Sequence, residues 1–257
     1  MLQRVMKKLR MIRYAPKIKV EYLANISRFG SEYGGWHLES SPDLQGATII
    51  SCGLGEDASF DVEFARKFGA KVLLVDPTPR ALIHFQELER QIGKSATTPY
   101  VAGGKQPAAA YDMTSLTKET FISEPSAIWI EDTRLKFFSP PSVSHVSHSI
   151  TNFMNNYSTE TSYIEVEALS LPSIMKKHNL TSIPLLKLDI EGAEVHVIPH
   201  MLKSGVFPRQ ILVEFDEMAV ATAKTQKTIE GIDQALRAAG YLCRHADRSN
   251  HLYTRST

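Results

Sequence analysis

Residues 47–76 read ATIISCGLGEDASFDVEFARKFGAKVLLVD. The first six are a short apolar, β-branched run that stops at Gly53, as a buried strand does. Phe60, Phe64 and Phe68 then recur four residues apart, on one face of a helix over 57–68, and Gly69 stops it. Residues 71–76 (KVLLVD) form the next strand. Strand, helix and strand in this order call for a right-handed crossover within a parallel sheet.

The same alternation continues outward. Pro77 ends the second strand, Thr78 is a cap, and Pro79 suits a first helical position. Ala81, Phe85, Leu88 and Ile92 share one helix face, closed by Gly93. Residues 94–126 are rich in Gly, Pro, Thr and Ala and match least well; a short helix is expected at 114–121. Strands are expected at 127–131, 135–138 and 163–168, with a loop over 139–156 and a helix over 171–179. Residues 184–189 (PLLKLD) are a buried strand, followed by a helix over 193–203. Pro199 inside that helix lacks a backbone donor and clashes with the preceding turn, so a kink or a split is expected. A strand over 210–215, a helix over 228–239 stopped by Gly240, and a hairpin of 241–245 with 251–254 complete the chain. No internal repeat interrupts this pattern.

Composition narrows the function. The 257 residues are 43% hydrophobic and 22% charged, which suits one soluble α/β domain with a real core. Lys+Arg is 29 against Asp+Glu 28, so no global basic field attracts nucleic acid, and no such partner is expected. Two cysteines, Cys52 and Cys243, exclude a disulfide scaffold and fit a cytoplasmic setting. No apolar run approaches the ~20 residues that cross a bilayer. The amino-terminal segment, 1–32, is set apart from the domain at 33–257 by seven basic residues and no acid within 1–19. Two readings stand for it: a basic amphipathic helix in weak contact with a membrane surface or an anionic glycan, or a solvated terminal helix.

Ligands of open α/β sheets sit above the strand tips. Acids occur at every tip segment here: Glu56 and Asp57, Asp76, Glu131, Asp189 and Glu191, and Glu214. Gly53 and Gly55 let a ligand approach the backbone closely. The third glycine of a dinucleotide fingerprint is absent, and Glu56-Asp57 would repel a pyrophosphate at the helix terminus. A donor bearing a sulfonium and an ammonium is welcome there, so the loop favours S-adenosylmethionine over NAD. The carboxylate of Asp76 suits the ribose of either. Gly53, Gly55, Glu56, Asp57, Asp76 and Glu131 are the expected cofactor contacts.

These residues resemble the FkbM family of S-adenosylmethionine-dependent methyltransferases. The strongest piece is LDIEGAE at 188–194, preceded by Leu186-Lys187; GLGEDASFD at 53–61, VDPTPR at 75–80, HVSHS at 145–149 and QILVEFD at 210–216 support it. The first motif reads G-x-G-E-D rather than the more usual D-x-G-x-x-x-G, so Ser51 replaces an acidic cofactor contact. Glu56 or Asp57 is expected to take over the ammonium. The resemblance runs from about residue 33 to the carboxyl terminus. It implies a Rossmann-like class I methyltransferase fold: a seven-stranded, mostly parallel sheet ending in an antiparallel hairpin. It also implies O-methylation, often of sugars, sugar-bearing metabolites and glycans.

A sugar hydroxyl is a poor nucleophile until it loses its proton, so a base or metal should help. Asp189 is the leading base, with Glu191 sharing the site or orienting the acceptor. Glu194 is expected to cap or pair. His145 and His148 are expected on the acceptor side; as divalent-metal ligands with Asp189 or Glu191, or as loop structure, they remain alternatives, and no metal is assigned. Trp129 is expected in the core and Cys52 as an inert thiol, whereas Trp36 is either core or cofactor entrance. Competing readings are a silent cofactor-binding partner subunit and an NAD-dependent oxidoreductase; the latter lacks a Tyr-x-x-x-Lys motif. The acceptor and the oligomeric state are left open.

Overall fold

The computed structural model describes residues 10–138 and 161–255. Strands β1 (Ile26–Phe29) and β2 (Trp36–Glu39) form an antiparallel hairpin. The alternation follows: β3 (Thr48–Cys52), α1 (Ser59–Phe68), β4 (Lys71–Val75), α2 (Pro79–Gln91) and β5 (Phe121–Glu124). Strands β6 (Ala127–Trp129), β7 (Thr133–Phe138) and β8 (Tyr163–Ser170) precede α3 (Leu171–Lys177). The second half comprises β9 (Leu185–Leu188), α4 (Glu194–Lys203), β10 (Gln210–Glu214), α5 (Ala223–Ala238), β11 (Tyr241–Asp247) and β12 (Asn250–Arg255).

Seven strands form the main sheet in the order β11-β12-β10-β9-β3-β4-β5. β10, β9, β3, β4 and β5 run parallel, and β12 enters antiparallel between β10 and β11. This is the α/β architecture expected from the alternation. Successive strand residues feed opposite cores because side chains alternate across a sheet. Ile49, Val72, Leu74 and Leu212 pack with Phe60, Phe64, Phe68 and Leu88 of α1 and α2. Ile50, Leu73, Leu186, Leu188 and Ile211 pack with Ile174, Val197, Ile198, Ile229, Ile232 and Leu236 of α3, α4 and α5. The Phe60, Phe64 and Phe68 rings stack along α1 at centroid distances of 5.8 and 4.8 Å.

Three local expectations need correction. Residues 114–121 form turns rather than a helix, and β5 follows them. Asp112 accepts from the backbone and hydroxyl of Thr114, and Thr120 accepts from the Thr117 amide, which favours turns over helix. The strands β6, β7 and β8 lie outside the main sheet, in a small sheet ordered β6-β8-β7. Finally, α4 is not split at Pro199 but runs through it as one helix. Only the bond from residue 199 to the Val195 carbonyl is lost, while Val197, Ile198 and Met201 stay anchored in the core.

Residues 10–13 are helical, and the chain then runs extended beside β11, where the Glu21 amide donates to the Cys243 carbonyl at 2.8 Å. Pairing there covers part of a sheet edge. Residues 1–9 of the basic segment lie outside the described residues. The 32/33 boundary falls between β1 and β2, and Trp36 and Leu38 belong to the main core.

Candidate active site

The sheet order reverses between β3 and β9, and a cleft of about 680 Å³ opens above their tips. Gly53 leaves β3 at φ +87°, and a Cβ on it would lie 1.9 Å from the Asp189 carbonyl oxygen. Only glycine lets these two tips close on each other. The Asp189 amide donates to the Cys52 carbonyl at 3.2 Å, and the Lys187 ammonium donates to the Gly53 carbonyl at 2.7 Å. Lys187 is buried, with its Nζ 3.5 Å from Asp189 Oδ2 and 5.6 Å from the centroid of the Trp36 ring. Burial works against its charge, but Asp189 and Asp61 outweigh that and hold the ammonium above its usual range.

The glycine loop is tied down by its own acids. Asp76 Oδ2 accepts from the Gly55 amide at 3.0 Å, and Oδ1 accepts from the Thr78 amide and hydroxyl. Glu56 pairs with Lys105 at 2.7 Å and with Arg80 at 3.5 Å, which ties the loop to 101–106. Asp57 accepts from the Ser31 hydroxyl at 2.6 Å and from the Ser59 amide at 2.9 Å, which ties it to the turn before β2. Ala102, Gly103 and Gly104 of the former stretch, and Tyr33, Gly34 and Gly35 of the latter, also line the cleft.

The tips of β9 and β10 carry a carboxylate cluster. Asp189, Glu191, Glu214 and Asp216 line the cleft there, together with Asp247, Arg248, Ser249 and Asn250 of the β11–β12 turn. Burial and the adjacent Asp189 push Glu214 up to about 7, although Ser249 donates to it at 2.8 Å. Burial, then Glu191, Glu214 and Asp189, push Asp216 up to about 9. Glu194 lies behind them without exposed surface, and is raised by burial and by Asp216 and Glu217. It does not cap α4; its Oε1 accepts from the Ile190 amide of the preceding turn at 3.0 Å. Glu191 sits at φ +56°, in the left-handed turn from β9 to α4.

Seven of the expected site residues therefore surround one cleft: Gly53, Gly55, Glu56, Asp57, Asp76, Asp189 and Glu191. Glu131 does not. It lies on an exposed bend of the small sheet, because the strand before it pairs with β8 instead of extending the main sheet. His145 and His148 lie outside the described residues. Trp36 is buried and lines the cleft as well, whereas Trp129 packs edge-on against His196 at 5.4 Å. Cys52 is fully buried, and burial raises its thiol, so it is no nucleophile. Lys187, Asp216 and the β11–β12 turn join the site without having been singled out; a lysine inside the apolar run PLLKLD was the available signal. Among the described residues no cluster of three or more His, Cys, Asp or Glu could hold a metal ion.

The profile of the methyltransferase FkbM domain matches residues 42–243. The chain belongs to this family. It is accordingly a methyltransferase, and membership implies S-adenosylmethionine as donor. The matched span of the FkbM domain holds the glycine loop, Asp76 and Asp189–Asp216, but neither Arg28–Trp36 nor the β11–β12 turn. No curated protein matches the chain. Among solved structures, a Methanococcus jannaschii fibrillarin pre-rRNA processing protein is similar over 93% of this chain and 86% of its own, at 9% identity and a TM-score of 0.43. A fibrillarin/Nop5p complex chain is similar over 92% of this chain and 100% of its own, at 10% identity and a TM-score of 0.41.

Proposed function

We propose that this FkbM-domain protein transfers the methyl group of S-adenosylmethionine to a hydroxyl of a sugar, in a glycan or a glycosylated metabolite. The observation that carries the reading is the contact of Asp189 with Glu214 at the tips of β9 and β10, beside the glycine loop.

The cleft chemistry fits a cationic donor. Nine carboxylate side chains line it against three basic ones, Arg28, Lys187 and Arg248, so a pyrophosphate would be repelled and a sulfonium attracted. Gly53 and Gly55 would bring backbone against the donor, and Asp76 would face its ribose. Glu56 is committed to Lys105 and Arg80, which leaves Asp57 the better partner for an ammonium. The donor supplies a methyl carbon already activated by positive sulfur. The protein must then position an acceptor oxygen, shield it from water and take its proton.

Asp189 takes that proton in this reading. Lys187 fixes its carboxylate from below, and Glu214 beside it retains its own proton up to about pH 7. Glu191, held in its left-handed turn, orients the acceptor. Two buried, free cysteines support a reducing, cytoplasmic setting, and no helix among the described residues is long and apolar enough to cross a membrane. The acceptor is a small molecule or glycan, with no nucleic-acid partner and at most weak membrane contact through the basic segment.

The test is transfer of a labelled methyl group to sugars, lipid-linked glycans and cell extract. The product should carry label on oxygen. Label on nitrogen, or none with any acceptor despite donor binding, would overturn the assignment.

A further inference from the structure

The cleft also presents an aromatic ring that donor binding and proton removal leave unused; this inference deepens the O-methyl reading and rests on it. Tyr33, in the turn between β1 and β2, lines the cleft yet is 64% exposed, whereas Trp36, three residues on, is buried. The turn that presents Tyr33 is clamped. Arg28 of β1 donates to the Gly30, Ser31 and Glu32 carbonyls, and the Gly30 and Ser31 amides donate to Glu63 and Ser59 of α1 at 2.6 and 2.7 Å. The hairpin is also held to β11, where the His37 and His245 rings lie 3.9 Å apart between centroids. Gly104 supports the ring itself. A Cβ there would lie 2.8 Å from Tyr33 Cε1 and 2.9 Å from Cζ, so the phenol end rests on bare backbone. Asp189, Glu191 and Glu214 act on this phenol more strongly than Asp57 does, which sets the ring toward the proposed base.

We propose that Tyr33 is the platform that binds the acceptor: a pyranose ring lies on its exposed aromatic ring, which brings a sugar hydroxyl to Asp189. The C–H face of a pyranose is apolar and slightly positive, and an aromatic face is negative, so the two attract. The sugar hydroxyls then point away from the ring and stay free for the carboxylates at the tips of β9 and β10. A ring on a clamped turn is already placed for this contact, so little freedom is lost when the sugar binds. The β1–β2 hairpin and His245 lie outside the matched family span of 42–243, so the platform need not extend to the family.

Saturation-transfer NMR on the full chain loaded with S-adenosylhomocysteine tests this, with the methyl glycosides of glucose, galactose, mannose and rhamnose as probes and glucitol as the open-chain control. At least one glycoside should receive saturation on its ring C–H protons, and glucitol far less. Tyr33→Ala should lower the affinity of that glycoside about fivefold, the usual worth of a stacked ring. Tyr33→Phe should retain it, because the ring and not the hydroxyl makes the contact. Gly104→Ala, which pushes the ring aside without removing it, should act like Tyr33→Ala. All three should leave S-adenosylhomocysteine affinity within about twofold. Glycoside binding that survives Tyr33→Ala, or glucitol saturated as strongly as the glycosides, would overturn the platform and leave the sugar reading standing. So would a Tyr33→Ala variant that loses S-adenosylhomocysteine instead, which would assign the ring to the donor. No glycoside signal from the unaltered protein would sink the sugar acceptor itself, and the platform with it. The comparison of glycosides with glucitol stands even if a variant fails to fold. Failure of S-adenosylhomocysteine to bind the unaltered protein would sink the donor assignment.

Discussion

Gly53→Ala is the sharpest perturbation of the cleft. The added Cβ would lie 1.9 Å from the Asp189 carbonyl oxygen, whereas ordinary contact begins at 3.4 Å, so one strand tip must retreat by about 1.5 Å. That retreat strains the bond from the Asp189 amide to Cys52, worth ~1 kcal/mol, and the charge-assisted bond from Lys187 to Gly53, worth ~1.5–3 kcal/mol. Positive φ adds ~1–2 kcal/mol for any residue with a Cβ. The total is about 4–6 kcal/mol, or roughly 10–20 °C in Tm for a domain of this size. Gly69→Ala is the matched control: its φ is +56°, but a Cβ there meets nothing within 4 Å. It should cost only the ~1–2 kcal/mol of strain. Thermal unfolding of both variants, with S-adenosylhomocysteine titration at 25 °C, measures the difference. If Gly53→Ala melts within about 3 °C of Gly69→Ala and still binds, the close approach of β3 and β9 does not shape the site.

The remaining predictions concern the acids. Asp189→Asn should lower kcat by about 10²–10⁴, the usual worth of a general base, while S-adenosylhomocysteine affinity is retained; full activity would refute the base assignment. Asp76→Ala should weaken cofactor binding by about tenfold or more, because it removes the ribose acceptor and releases the Gly55 amide and Thr78; an unchanged titration would count against that contact. The rate should rise with pH through about 7, as Glu214 loses its proton, and Glu214→Gln should flatten that limb of the profile. Glu194→Gln should raise Tm at pH 8 and change it little at pH 4. The folded carboxyl holds its proton more tightly than the unfolded one, so its stabilising contribution is complete below the ordinary value of 4.5 and is lost as pH rises through the raised folded value.

The legible parts of the fold were those where one period dominates. Phe60, Phe64 and Phe68 announce α1, and β3, β4, β9 and β10 are apolar runs buried on both sides. β5 is only four residues, FISE, with two polar side chains and no period. It is an edge strand paired to β4 alone, so tertiary context creates it. The run at 127–131 looks like a main-sheet strand but is diverted. Asp132, just beyond it, accepts from the Ser170 amide at 2.8 Å and the Ser173 hydroxyl at 2.7 Å, which fastens this stretch to the start of α3. That partner lies 38 residues away, a distance no local pattern reports. Glu131 was expected at the cofactor on the strength of the same run.

The acids of the glycine loop and those at the tips of β9 and β10 look alike in sequence, yet the fold treats them differently. Glu56, Asp57 and Asp76 each have donors on both oxygens, so they hold the loop as well as lining the cleft. Glu194, Asp216 and Glu217 each keep a buried oxygen without a donor. The second group carries a standing cost of burial, which raises Glu194, Asp216 and Glu217 above the usual carboxylate range. The difference arises because Ser31, Arg80 and Lys105 bring donors to the loop acids, while 189–194 and 214–217 converge from separate crossovers at the tips of β9 and β10. Topology brings donors to the loop acids and leaves the others facing one another. These residues are visible in sequence as acids, but their burial against one another is not, because it is set by two crossovers that meet only in the folded sheet.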